Sequence, residues 1–266
     1  MRKIFLSADI EGTCGIAHWD ETEHGHYGYE HFAKQMTDEV AAACSGALDG
    51  GATEVFVKDA HDSARNIDPS ALPEQASIFR GWGSDPYSMM SGVDATFAGV
   101  IFTGYHSAAS WNGNPLSHTM TTKLLQIRVN GEVCSELMMN SMTAAMFGVP
   151  VLMVTGDQAL CDWFHSVCPH TITVPVCRGV GNGSVSMHPG KAVKLIREKA
   201  QEAMKLEPAA CMFPLPDHFD VEVDYRDHFR AKDASWYPGA KQTGTRTVSF
   251  SSDSWMDVLT FFHFCL

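Results

Sequence analysis

"LSADIEGTCG" (residues 6–15) decides how the rest of the chain is read. Ile4, Phe5 and Leu6 lead into it as an apolar run without polar alternation, the pattern of a buried strand. The run ends in two acids, Asp9 and Glu11, followed by Gly12 and Gly15. Side chains two apart on an extended chain share a face, so Asp9 and Glu11 are expected to point together. Carboxylates that close repel unless a cation or a shared proton relieves them.

Outward from this strand, similar runs recur at residues 54–57, 96–103, 149–154 and 171–176. Helical spacing lies between them at residues 29–48, 136–147 and 158–167, and Gly50-Gly51 stops the first of these helices. A helical turn is expected around residues 86–90, and Asn130-Gly131 marks a hairpin after residues 124–129. Short apolar strands alternating with helices predict an α/β fold with a doubly wound, mostly parallel sheet. Crossover handedness then brings the strand C-termini to one edge. Near residue 180 the pattern changes. "GVGNGSVSMHPG" (179–190) reads as a flexible linker, since its glycines lack the Lys-Ser/Thr of a phosphate loop. A helix at 191–205, strands at 221–225 and 245–250 and a helix at 254–264 follow. The expected division is an α/β metal-binding domain over residues 1–185 and a smaller α+β domain over 186–266 that makes oligomer contacts.

Bulk properties exclude several functions. The 266 residues are 45% hydrophobic and 19% charged with a formal net charge of −12, so the surface repels nucleic acid and anionic lipid. No apolar run approaches the roughly 18 residues of a membrane span. The run behind Arg2 and Lys3 stops at Leu6, too early for a signal peptide. Eight scattered cysteines without a CxxC motif read as reduced thiols in a cytoplasmic protein.

Ligands in open α/β sheets bind beyond the strand C-termini at a topological switch point. The second strand gives His61 in "KDAHDS" and the third gives His106 in "GYHS". His118 in "SHTM" lies just beyond, and Glu136 opens a helix facing the same rim. Mixed carboxylates and imidazoles suit Zn²⁺ or a similar divalent ion. One ion leaves ligands over, whereas two ions about 3.5–4 Å apart use them all. Asp9, short and central, is the natural bridge, and the chemistry is hydrolysis. The tract His24, His26 and His31 is expected to line the entrance. Met138, Met139, Met142 and Met146 fall at helical spacing and are expected in the core.

Two other readings compete. "SADIEGT" also resembles the first motif of haloacid-dehalogenase phosphatases, with Asp9 as nucleophile and with Asp157 and Asp162 holding Mg²⁺. That reading departs at Glu11, lacks the Ser/Thr strand end before a lysine, and gives His61, His106, His118 and Glu136 no role. The other is a metal-dependent peptide-binding subunit without turnover.

"SADIEG", "KDAHDS", "GYHS", "SHTM", "GEVCSELMMN" and "GVPVLMVTGD", in that order, resemble the D-aminopeptidase family of metallopeptidases from residue 3 to about 260. The resemblance implies two zinc ions per chain and hydrolysis of short peptides or amides with an N-terminal D-residue. It implies that Asp9 bridges the ions, with Glu11 and His106 completing one and His61 and Glu136 the other. His118 matches the position of the catalytic histidine, read here as a proton shuttle or transition-state stabiliser. The resemblance also implies a homodecamer of two stacked pentamers. Lys58 and Ala60 depart from the family's usual NDSH, which is expected to change a neighbour of His61 and tune metal affinity.

Overall fold

The computed structural model describes residues 2–266. A seven-stranded sheet has the order β3-β2-β1-β4-β7-β8-β9. Its strands are β1 (Lys3–Ala8), β2 (Glu54–Asp59), β3 (Ala76–Phe79), β4 (Gly99–Tyr105), β7 (Val151–Asp157), β8 (Ile172–Val180) and β9 (Gly183–Ser186). All neighbours pair parallel except β8 and β9. A second, antiparallel sheet has the order β11-β12-β10-β5-β6. It is built from β5 (Leu124–Val129), β6 (Glu132–Val133), β10 (Phe219–Tyr225), β11 (Lys241–Gln242) and β12 (Thr247–Ser252). The helices are α1 (Tyr29–Asp49), α2 (Glu136–Met146), α3 (Gln158–Val167), α4 (Pro189–Ala203), α5 (His228–Ala234) and α6 (Trp255–Cys265).

The apolar run at the start of the chain is explained by two cores, one on each face of the parallel sheet. Ile4, Leu6 and Ala8 of β1 pack with Met36, Val40 and Ala43 of α1 and with Ile196 and Ala200 of α4. Phe5 points the other way, into a core shared with Met138 and Met142 of α2 and with Phe219, Val221 and Trp255. A strand covered on both faces has no polar side to show in its sequence.

The expected α/β class holds, but the domain boundary does not fall near residue 185. β5 and β6 lie before it yet pair in the second sheet beside β10. α4 lies after it yet packs on α1 against the large sheet. The sheets interleave along the chain because the Asn130-Gly131 hairpin leaves the parallel sheet before β7 returns to it. The linker read at 179–190 is also corrected. Val180 and Gly183 close the β8–β9 hairpin, which is tied down: Ser184 Oγ donates to Ile16 O and Gly15 N–H donates to Ser186 Oγ. The third strand begins at Gly99 rather than residue 96. β3 and β11 had no clear apolar period because they are short and sit at sheet edges, and α5 had none because it is only seven residues long. Among the described residues no helix is long and apolar enough to cross a membrane.

Candidate metal centre

The chain runs from β1 outward to β2 and β3, then returns to β4 and continues through β7 on the other side, so the switch point lies between β1 and β4. Ligands gather there. Asp9 and Glu11 leave the end of β1, His61 the end of β2 and His106 the end of β4. Asp9 and Glu11 converge for a different reason from the strand alternation expected. β1 stops at Ala8, and Thr13 N–H donates to Ile10 O in a turn. Gly12 N–H then donates to Gly104 O, and Asp9 N–H to Thr103 O, locking the turn to β4. Side chains on either residue would prevent that approach: a Cβ on Gly12 would lie 1.9 Å from Tyr105 O, and one on Gly104 2.1 Å from Asp9 O.

The other ligands are fixed by their own supports. After β2, Asp59 accepts from Asn66 N–H, Asn66 Nδ2 and Ile67 N–H, holding the turn that presents His61. After β4, Asp157 accepts from Ser107 N–H and Ser107 Oγ and also caps α3 through Leu160 N–H. Glu136 is the first residue of α2, which Ser135 caps by accepting from Met138 N–H. Thr119 Oγ1 donates to Cys134 O and accepts from Ala109 N–H, tying the His118 loop to the start of that helix.

All six predicted site residues meet. His61 Nδ1 lies 3.4 Å from Asp9 Oδ1 and 3.2 Å from Glu11 Oε2. His106 Nε2 lies 3.4 Å from Asp9 Oδ2, 3.4 Å from Glu136 Oε2 and 4.0 Å from Glu11 Oε2. His118 Nε2 lies 3.6 Å from Glu136 Oε1 and 4.0 Å from Glu11 Oε1. Its ring stacks on His106 at 4.4 Å and meets the edge of Trp19 at 5.2 Å. The ligand atoms fall into three overlapping clusters, Asp9 with Glu11 and His61, Asp9 with His106 and Glu136, and Glu11 with His106 and His118, so Asp9 belongs to two of them.

Each imidazole spends its second nitrogen on the main chain. His61 Nε2 donates to Thr22 O, His106 Nδ1 to Ser107 O and His118 Nδ1 to Leu116 O, at 2.9, 3.0 and 3.0 Å. A carbonyl can only accept, so the proton sits on those nitrogens and the opposite nitrogen faces the carboxylates, the arrangement of metal-ligating histidines. Asp9 Oδ2, Glu11 Oε2 and His106 Nε2 are buried without a hydrogen-bond partner. Such groups are costly to bury unsatisfied, and all three face the same point. Burial opposes charge on His61 and His106, but Glu11 and Asp9 beside the first, and Glu136 and Asp9 beside the second, raise both well above the usual histidine range. Burial likewise opposes charge on Asp9, but His106 and His61 hold it well below the usual carboxylate range. The cluster therefore calls for positive charge, and its donor set of carboxylates and imidazoles fits zinc.

Other expectations fare differently. Asp157 is committed to Ser107 and to α3, and Asp162 is exposed beside Gln158, so neither holds a Mg²⁺ next to Asp9. His24 meets Tyr29 edge to face and His26 pairs with Asp20 and Glu23. Trp19, Thr22 and Glu23, rather than those histidines, border the cavity over the centre. Lys58 bonds to the main chain rather than to His61. Its fully buried Nζ donates to Asp59 O and Gly81 O and lies 4.3 Å from the Trp82 ring. Trp82 Nε1 in turn donates to Asp62 O, so Lys58 braces the cavity wall. Trp19, Asp62 and Trp82 were missed, since they lie in a single 3-10 turn and in loops that no sequence period brings to the site. Only the adjacency of Asp62 to His61 hinted at a role.

A doubly wound α/β fold whose switch point carries a buried carboxylate–imidazole centre defines a metal-dependent class of protein. The chain belongs to the D-aminopeptidase family: the family model Peptidase_M55, described as D-aminopeptidase, matches residues 1–264. It is 30% identical over 257 residues to the D-aminopeptidase of Bacillus subtilis (strain 168), covering 96% of this chain and 93% of that one. A solved structure described as "Zn-dependent D-aminopeptidase DppA from Bacillus subtilis, a self-compartmentalizing protease" superposes with a TM-score of 0.90 at 29% identity. The match covers 98% of this chain and 95% of the other.

Proposed function

We propose that this protein is a cytoplasmic, zinc-dependent aminopeptidase that hydrolyses short peptides bearing an N-terminal D-residue. The observation that carries the reading is the convergence of ligand residues from three strand ends on one point, with Asp9 Oδ2, Glu11 Oε2 and His106 Nε2 buried and unpartnered there. Asp9, Glu11, His61, His106 and Glu136 would hold the zinc, two ions per chain by the family pattern. Bound there, zinc supplies Lewis-acid polarisation of a carbonyl and increases the acidity of water.

The remaining residues bind, orient and move protons. His118 is the most exposed of the three imidazoles, at 14% of its side chain. Its Nε2 faces the centre, so it takes a proton as water attacks the scissile carbonyl and returns one to the leaving amine. Trp19 and His106 hold its ring on two sides. The cavity of about 370 Å³ over the centre is bordered by Asp62 and Glu23 and by no Lys or Arg, which suits the free ammonium of a peptide's first residue.

Assembly follows the same family pattern: a homodecamer of two stacked pentamers. Phe229, Trp236 and Phe264 are 54%, 78% and 71% exposed around α5 and α6, large apolar groups that a second copy of the chain would cover. A panel of D- and L-configured dipeptides and amino-acid amides assayed with the zinc-loaded protein tests the activity. Release of D-amino acids in preference to L supports the reading. Saturable binding of D-Ala-D-Ala without turnover would leave a peptide-binding subunit, and phosphate release with Mg²⁺ would overturn the reading outright.

A further inference from the structure

Two cavities meet at His118. The first, described above, holds the metal ligands. The second, about 820 Å³, opens on the other side and is bordered by Ser110, Leu125, Gln126 and Arg226. Trp19, Glu23, His118 and Thr122 belong to both walls. A chain bound across the shared wall has its reacting bond beside His118, its first residue over the metals and its leaving portion in the larger cavity.

Charge distinguishes the two ends. The metal cavity is bordered by Asp9, Glu11, Glu23, Asp62 and Glu136 without a Lys or Arg. In the larger cavity Arg226 is the one Lys or Arg and Glu23 the one acid, and Glu23 lies 3.5 Å from His26. Arg226 directly follows β10, and its N–H donates to Lys123 O just ahead of β5, so the second sheet anchors its backbone. Its side chain is exposed, and among the described residues it makes no ion pair within 4.0 Å, whereas Arg128 and Arg197 are paired with acids. An available guanidinium in a chain of net charge −12, at the leaving-group end of a cleft whose other end is acidic, matches one half of a zwitterion. A planar fork of donors is the side chain suited to a carboxylate.

We infer that Arg226 receives the C-terminal carboxylate of the substrate, which makes short peptides with a free C-terminus, rather than amides, the preferred class. The inference rests on the aminopeptidase reading for the direction of the chain. The test compares kcat/KM of the zinc-loaded enzyme for D-Ala-D-Ala and for D-alaninamide in wild type, R226Q and R226K. R226Q is expected to lower the dipeptide-to-amide ratio about 10- to 100-fold, the range for hydrogen bonds to a charged group, and R226K to recover part of it. Because Arg226 is exposed, unchanged thermal midpoints and zinc content verify folding. A second readout is the Kd of D-Ala-D-Ala for zinc-loaded H118A against H118A/R226Q by calorimetry, expected to rise about tenfold or more. If both compounds are hydrolysed and neither ratio nor Kd moves, the role of Arg226 is overturned while the aminopeptidase reading stands. If neither is hydrolysed but the Kd rises, the aminopeptidase reading falls and the carboxylate site stands.

Discussion

His61, His106 and His118 show how much of the centre is settled by single hydrogen bonds. Each ring gives one N–H to a main-chain carbonyl, and that choice alone aims the free nitrogen at Asp9, Glu11 or Glu136. Asp9 belongs to two ligand groups, so its loss removes an anion from both. D9A is expected to abolish zinc retention and hydrolysis together, read as metal per chain after dialysis alongside kcat. Retention of two zinc ions by that variant would end the bridging role. A second buried acid lies behind the site. Burial pushes Glu39 up to about 7, although it accepts hydrogen bonds from Gln35 Nε2 and Cys14 N–H. A raised carboxylate binds its proton more tightly in the folded chain, so its stabilising contribution is full below the ordinary glutamate range. It is lost as pH rises through about 7. E39Q does not titrate. From pH 5 to 8 its stability is expected to gain on wild type by about 3 kcal/mol, followed by urea denaturation at each pH. Parallel profiles would show that Glu39 carries no such linkage.

At the scale of elements, the strand ends matter more than the strands. β1, β2 and β4 were legible because burial on both faces leaves short apolar runs, and α1, α3 and α6 because their helical spacing is sustained. β3 and β11 were not, since edge strands pack on few neighbours and need no apolar period. His61, His106 and Glu136 could be named from the sequence because each directly follows or opens a recognisable element. The joint orientation of Asp9 and Glu11 was anticipated for an incorrect reason. The turn after Ala8 is made possible by Gly12 and Gly104, whose missing Cβ atoms let two strand ends touch. Gly104 also has φ of +69°, a conformation in which an L side chain is strained. G104A is expected to destabilise the protein by about 3 kcal/mol and to lower zinc affinity by moving Asp9. Unchanged denaturation and zinc content would show that the turn tolerates the side chain.

For the whole molecule, two features depend on parts distant in sequence. The cleft over the metals takes its walls from loops after β1, β2 and β3 and from the His118 segment, with Arg226 arriving from the second sheet. The apolar side chains around α5 and α6 are expected to be subunit contacts. W236E and F264E are therefore expected to shift the species seen by light scattering from a decamer to smaller forms while leaving the zinc content of each chain intact. A monomeric wild-type protein would remove the decamer from the functional reading.

Taken alone, the sequence determined the parallel sheet, the candidate ligands and the demand for a cation, because strand burial and charge repulsion are local properties. Only the tertiary structure decided the convergence of those residues on one point, the interleaving of two sheets where a domain boundary was expected, and the hairpin at Gly181-Asn182. It also decided which loop residues wall the cleft. Those outcomes depend on contacts between segments far apart along the chain, for which residue spacing carries no signal.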